Sequence, residues 1–226
     1  MISATFPVLA SAYKDDNMVK VHDLFARSSL NILIGATFMS IIVICNIGNA
    51  TALLPAGYDV LKYLVAILTL GSFADMATGM NGQILSISAY YRFNFYVSIV
   101  LVGLMIVLNY LFIPKIGIYG AACANALSLT LFNIAKFFFV WKKLNLQPFS
   151  KKSALVLLAG APALAVGYFF PYLFNTANHI YVHSFIDAVV RSSLIIIVYI
   201  LMLLWLRPSP DLQEYVASIK KNKRLF

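Results

Sequence analysis

The sequence predicts an all-α integral membrane protein, a bundle of about six transmembrane helices, on three observations. Hydrophobic types supply 62% of the 226 residues and charged types only 11%, with a mean hydropathy of +0.86. A soluble domain carries roughly 45–50% apolar and about 25% charged residues, so too few charged side chains are present to clothe a water-exposed body of this size. Six stretches are apolar over the ~20 residues that a helix rising ~1.5 Å per residue needs to cross a ~30 Å hydrocarbon core. The few charges gather at the ends of those stretches. A soluble globular fold, a disordered chain, a nucleic-acid module and a disulfide scaffold are thereby excluded. Cys45 and Cys123 sit inside apolar runs as small hydrophobes and indicate no redox or metal chemistry.

Residues 1–28 form the first segment. Its start is apolar and meets a small-residue run, Ala10-Ser11-Ala12, yet it lacks a basic n-region and Pro7 interrupts its short core, which argues against a signal peptide. Met18, Val21, Leu24 and Phe25 then share one helical face, with Lys20, His22, Asp23 and Arg27 outside it, predicting an amphipathic linker along the headgroups. Residues 29–206 form the membrane body, with spans expected at 29–48, 61–85, 93–113, 118–141, 153–173 and 185–206. The connections are short: a turn at 49–60 containing Pro55 and Gly57, a turn at 86–92, a break at 114–117 and a loop at 142–152. Residues 207–226 read as a basic amphipathic tail. In it Asp211 and Glu214 have capping-box spacing, Leu212, Tyr215, Val216 and Ile219 make the apolar stripe, and the basic run 220–224 suits a helix C-terminus.

The net charge is +9, from 17 Lys and Arg against 8 Asp and Glu. In a membrane chain that excess reports orientation, because basic residues accumulate in cytoplasmic loops. Lys14, Lys20, Arg27, Arg92, Lys142, Lys143, Lys151, Lys152, Arg207, Lys220, Lys221, Lys223 and Arg224 fall on one side; Lys62 and Lys115 fall on the other. Both chain ends are therefore expected in the cytoplasm.

Asp75 is the most informative residue, about 14 residues into the second span, where an ionised carboxylate is expensive. Gly71, Asp75 and Gly79 recur at i, i+4 and i+8 with Gly82 nearby, a stripe that admits a neighbouring backbone or a cavity, and Asn81 and Gln83 extend the polarity. The carboxylate serves either ion coupling and substrate contact in a transport cavity, or packing as a paired or protonated group. Gly120, Ala124 and Ser128 form a small-residue packing face on the fourth span. Asn109, Asn125 and Asn133 either bond across helices or line a wet cavity. Lys136 lies close enough to a helix end for its stem to snorkel. His179, His183, Asp187 and Arg191 recur every four residues. Spacing fixes no third metal ligand there, Asp187 with Arg191 is an i, i+4 ion pair, and Arg191 is also placed to reach a phosphate in a cavity. The Asn49-Ala-Thr51 sequon is too short to weigh. No Gly-rich phosphate loop, HExxH, GxSxG or paired loop carboxylates occur.

The order of elements and the wording of several resemble the C-terminal half of the polysaccharide flippases of the MOP superfamily (multidrug, oligosaccharidyl-lipid and polysaccharide exporters). The carriers are Phe6-Pro7 with the polar 11–27 stretch, Asp75-Met-Ala-Thr-Gly-Met-Asn-Gly-Gln83, Tyr90-Tyr-Arg92, Ile113-Pro-Lys-Ile-Gly117, Gly120-Ala-Ala122, Trp141-Lys-Lys143 and Leu146-Gln-Pro-Phe-Ser150. The resemblance implies one lobe of a MATE/MOP-like two-lobe transporter. Such a protein moves a polyprenyl-diphosphate-linked oligosaccharide across the bacterial inner membrane by alternating access, for O-antigen or capsule synthesis. It implies no covalent chemistry, no cofactor, no metal and no nucleic-acid partner. Its partners would be the lipid-linked oligosaccharide, the bilayer and a missing N-terminal lobe or second copy, and residues 1–12 would end a preceding helix. Asp75, Asn81, Gln83, Asn109 and Asn125 become the cavity or ion-coupling candidates; Arg191, Lys136 and Arg92 become candidates for contacting the cargo's phosphates. The alternative within transport is a multidrug or cation antiporter lobe. From other classes come a membrane-embedded glycosyltransferase or ligase, which the loops of about eleven or twelve residues leave little room for, and a structural membrane subunit.

Overall fold

A computed structural model describes residues 2–55, 57–171, 180–211 and 213. Among them the chain is all-helical: α1 (Ile2–Lys14), α2 (Met18–Ala52), α3 (Leu61–Ala77), α4 (Asn81–Ile87), α5 (Tyr91–Ile116), α6 (Ile118–Leu144), α7 (Lys151–Phe169) and α8 (Ile180–Leu206), with a 3-10 turn at Tyr58–Val60. Six of these helices are long and apolar enough to cross a membrane, and the chain is a multi-pass membrane protein. The expected spans at 93–113, 118–141 and 185–206 reappear as α5, α6 and α8, each longer by a few residues.

Three departures from expectation have physical causes. First, the linker at 18–28 is the first part of α2, which runs unbroken for 35 residues from an N-cap at Asn17, whose side chain accepts from the Lys20 N–H at 3.1 Å. Its apolar face is covered by protein, since Val21 and Phe25 are buried in one cluster with Leu9, Ala12, Met80, Ile84, Leu85, Val140 and Leu146. Second, the span expected at 61–85 is two helices with a break between them. Third, Pro114 lies inside α5, and the chain turns only at Gly117, where φ is +60. Pro114 forgoes the one N–H bond its position would make to the Tyr110 carbonyl, and the helix ends two residues later.

Helix α2 is the hub, flanked by α1, α3, α7 and α8, while α6 is packed against α3, α4 and α5. Small residues set these approaches. A Cβ added to Gly71 would sit 2.8 Å from Ala126 Cα on α6, and one added to Gly160 would sit 2.7 Å from Thr37 Cγ2 on α2. Gly120, Ala124 and Ser128 are all buried, so the small-residue face of α6 does serve packing. On α8, Tyr199 stacks with Phe38 at 5.7 Å and its hydroxyl donates to the Ile34 carbonyl at 3.0 Å.

Beyond α8 the chain folds back on α2. The Ser209 hydroxyl donates to Asn31 Oδ1 at 2.9 Å, and Asp211 accepts from Asn31 and Arg27. Asp211 therefore faces α2. The remainder of the expected tail, with Leu212, Glu214, Tyr215, Val216, Ile219 and the basic run 220–224, lies outside the described residues, as does His179.

Candidate functional site

The second expected span is interrupted by Thr78, Gly79 and Met80. Gly79 has φ +66, a left-handed conformation that L side chains disfavour. A Cβ there would also collide with the Ser29 side chain of α2. The Met80 N–H points to Ser29 Oγ at 3.4 Å, so the interrupted backbone is pinned against α2. Within hydrocarbon, non-helical backbone survives only where protein buries it or where it lines a wet cavity. Burial applies here, for Thr78, Met80 and Asn81 are 9%, 0% and 1% exposed.

Asp75 stands in the last turn before the break. Asn133 Nδ2 on α6 donates to its Oδ1 at 2.7 Å. The Thr78 hydroxyl donates to the Asp75 carbonyl at 2.9 Å and lies 3.2 Å from Asn133 Oδ1. Lys136, three residues beyond Asn133 and so on the same side of α6, is buried with its Nζ 3.8 Å from the centroid of the Phe132 ring. No ion pair joins it to Asp75 among the described residues. A Cβ on Gly82 would lie 3.3 Å from Lys136 Nζ, so the ammonium also abuts the start of α4.

Asp75 itself is exposed, as are Ser72 and Met76 beside it. Ser72 and Met76, but not Asp75, line a groove of about 290 Å³ between α2 and α3, together with Met39, Ser40, Thr69 and apolar side chains such as Val43, Leu68 and Phe73. This part of α3 thus presents hydroxyls and thioethers among apolar side chains toward the α2 groove, and the Asp75 carboxylate on the side that meets α6. Such a segment can accept hydrogen bonds from hydroxylated ligands or hold a proton or cation at Asp75.

Of the sequence candidates, Asp75 and Lys136 come together here with the start of α4, which carries Asn81 and Gln83. Asn81 is buried with neither amide atom hydrogen-bonded among the described residues, and Gln83 is half-buried. Asn109 and Asn125 do not join them. Asn109 donates back to the Met105 carbonyl of its own helix at 2.7 Å, and Asn125 lies eight residues, or ~12 Å, along α6 from Asn133. Arg92 is exposed at the start of α5, its Nε 3.3 Å from the Tyr91 hydroxyl.

Arg191 belongs to a separate cluster at the other end of α2. It is 1% exposed, with Nε and Nη2 donating to Asp187 Oδ2 at 3.0 and 2.9 Å and Nη1 donating to the Gly167 and Phe170 carbonyls at 2.6 and 2.9 Å. Asn49 Nδ2 donates to the same Asp187 oxygen at 2.6 Å. The guanidinium therefore caps the end of α7 and neutralises a buried carboxylate. Among the described residues no group of three metal-ligating side chains forms, at His183 or elsewhere.

Sequence reasoning missed Thr78, Ser29 and Asn49 and left two roles open for Asn133. The signal for Asn133 is its i, i+3 spacing to Lys136, which places an amide and an ammonium on one face of an apolar span. Comparison of the chain with known protein families, with curated proteins and with solved structures finds no match.

Proposed function

We propose that this chain is the C-terminal lobe of a lipid-linked oligosaccharide flippase of the MOP type, working in a bacterial inner membrane with both ends in the cytoplasm. The observation that carries the reading is the exposed Asp75 beside a broken helix, backed by the buried Asn133 and Lys136. An apolar bundle has no packing reason to turn a carboxylate outward, and a cavity filled with water and sugar hydroxyls supplies one. In this reading the α2–α3 face lines half of a cavity that a second lobe completes. Asp75 accepts hydrogen bonds from sugar hydroxyls, while Asn133 fixes its carboxylate and Lys136 limits its net charge. The helix break is the hinge of alternating access. No bond of the cargo is made or broken.

The exposed carboxylate without a direct ion pair also favours a second reading, a cation-coupled antiporter lobe in which Asp75 holds a proton or cation. One experiment addresses both. In the complete natural transporter reconstituted in vesicles, Asp75→Asn is expected to slow lipid-linked oligosaccharide flux at least about tenfold with normal assembly. Wild-type flux with an unaltered dependence on the cation or pH gradient removes Asp75 from transport. Unchanged oligosaccharide flux that loses its dependence on the cation or pH gradient selects the antiporter reading.

A further inference from the structure

The loop joining α6 to α7 carries charges for which the transport reading has no use. Helix α6 ends in Trp141-Lys142-Lys143-Leu144 and α7 begins with Lys151-Lys152, and all four lysines are exposed. The sequence holds no acidic residue anywhere between Asp75 and Asp187. Two basic residues elsewhere do have carboxylate partners: Arg27 pairs with Asp23 at 2.9 Å and Lys62 with Asp59 at 2.8 Å. The four loop lysines make no ion pair among the described residues. Lys142 and Lys143 suit the negative end of α6, but Lys151 and Lys152 occupy the first turn of α7, where the helix dipole opposes a cation and no acid relieves it.

The loop is held rigidly. Leu144 and Leu146 are buried in the cluster formed by α1, α2, α4 and α6. Asn145 closes α6 in the left-handed conformation at φ +53, and Ser150 and Ser153 form a reciprocal capping box at the start of α7. Directly against the lysines stands an aromatic group. Trp141 and Phe149 are 42% and 44% exposed, and both lean on Phe137, with ring centroids 6.1 and 5.5 Å away. Exposed rings at the level where spanning helices end, capped by exposed ammonium groups, match a partner that is anionic at one end and apolar at the other.

We infer that the 142–152 loop is a docking surface for anionic phospholipids of the surrounding leaflet. Their phosphates bind Lys142, Lys143, Lys151 and Lys152, and their acyl chains lie against Trp141 and Phe149. The surface stands independently of the transport reading.

The chain has two tryptophans, Trp141 and Trp205, so Trp205→Phe leaves Trp141 as a local reporter of lipid composition. The full chain with that change is reconstituted in mixtures of brominated and unbrominated lipid, with either phosphatidylglycerol or phosphatidylcholine carrying the bromine. Quenching of Trp141 is expected to report about a three- to tenfold preference for phosphatidylglycerol, lost in 1 M salt. The variant carrying Lys142→Gln, Lys143→Gln, Lys151→Gln and Lys152→Gln is expected to show none. The paired variants K142Q/K143Q and K151Q/K152Q are each expected to lower the preference part-way, and they decide the question should the fourfold variant fail to insert. Equal quenching by the two lipids, or a preference that survives loss of the lysines, overturns the inference.

Discussion

Arg191 illustrates how a single side chain organises three helices. Its Asp187 partner lies one turn back on α8, its carbonyl partners close α7, and Asn49 brings in α2 through the shared Asp187 oxygen. Both charges are almost fully buried, at 1% and 2% exposure, so removing one partner strands the other in a medium that cannot solvate it. Arg191→Met is expected to lower the stability of the bundle in mixed micelles by about 3–5 kcal/mol. Combining Asp187→Asn with Arg191→Met is expected to recover part of that loss, because the amide that replaces the carboxylate still accepts from Asn49 and leaves no unpaired charge. A double variant as unstable as the sum of the two singles would mean that the pair contributes no coupling. The i, i+4 spacing makes the ion pair itself legible in the sequence. Asn49 is not legible, being 138 residues from Asp187, and neither are the α7 carbonyls, since backbone groups at a helix end carry no sequence signature.

At the scale of elements, the break between α3 and α4 departs most from expectation. Hydropathy stays high through residues 61–85, so composition alone reads one span there, and the glycines read as a packing stripe. That stripe is real but divided: Gly71 meets Ala126 on α6, whereas Gly79 meets Ser29 on α2. The two contacts point to different neighbours because the helix is interrupted between Ala77 and Asn81. Gly79→Ala is expected to destabilise the bundle by roughly 1–3 kcal/mol, through both the positive φ and the Ser29 contact. Adding Ser29→Gly is expected to return only the steric share, and complete recovery would show that φ +66 carries no strain. The amphipathic pattern at 18–28 misleads for a related reason. An apolar stripe states that something covers it, and the covering here is α1, α4 and α6 in place of lipid.

For the molecule as a whole, the presence of six long apolar helices follows from composition and spacing, because lipid imposes one rule on every residue facing it. Which exposed faces meet lipid and which meet a partner does not follow in this way, because an apolar residue facing lipid and one facing a partner look alike in sequence. The structure separates the two through polarity. The Ser29 and Asn49 contacts stand about 20 residues apart on α2, ~30 Å along the helix, so the bundle is cross-tied at two well-separated levels. Between them, the α2–α3 face opens with Ser40, Thr69 and Ser72 among its apolar residues, whereas α5 has no buried residue and presents exposed aliphatic side chains such as Ile99, Val100 and Ile106. A face that meets water and a face that meets lipid differ in thiol chemistry, since a charged reagent needs both access and an ionised thiol. With Cys45 and Cys123 replaced by alanine, Ser72→Cys in the chain reconstituted in bilayers is expected to react with a charged thiol reagent at least about tenfold faster than Ile106→Cys. Equally slow reaction at both positions would place the α2–α3 face against lipid and leave Asp75 without a wet cavity to serve.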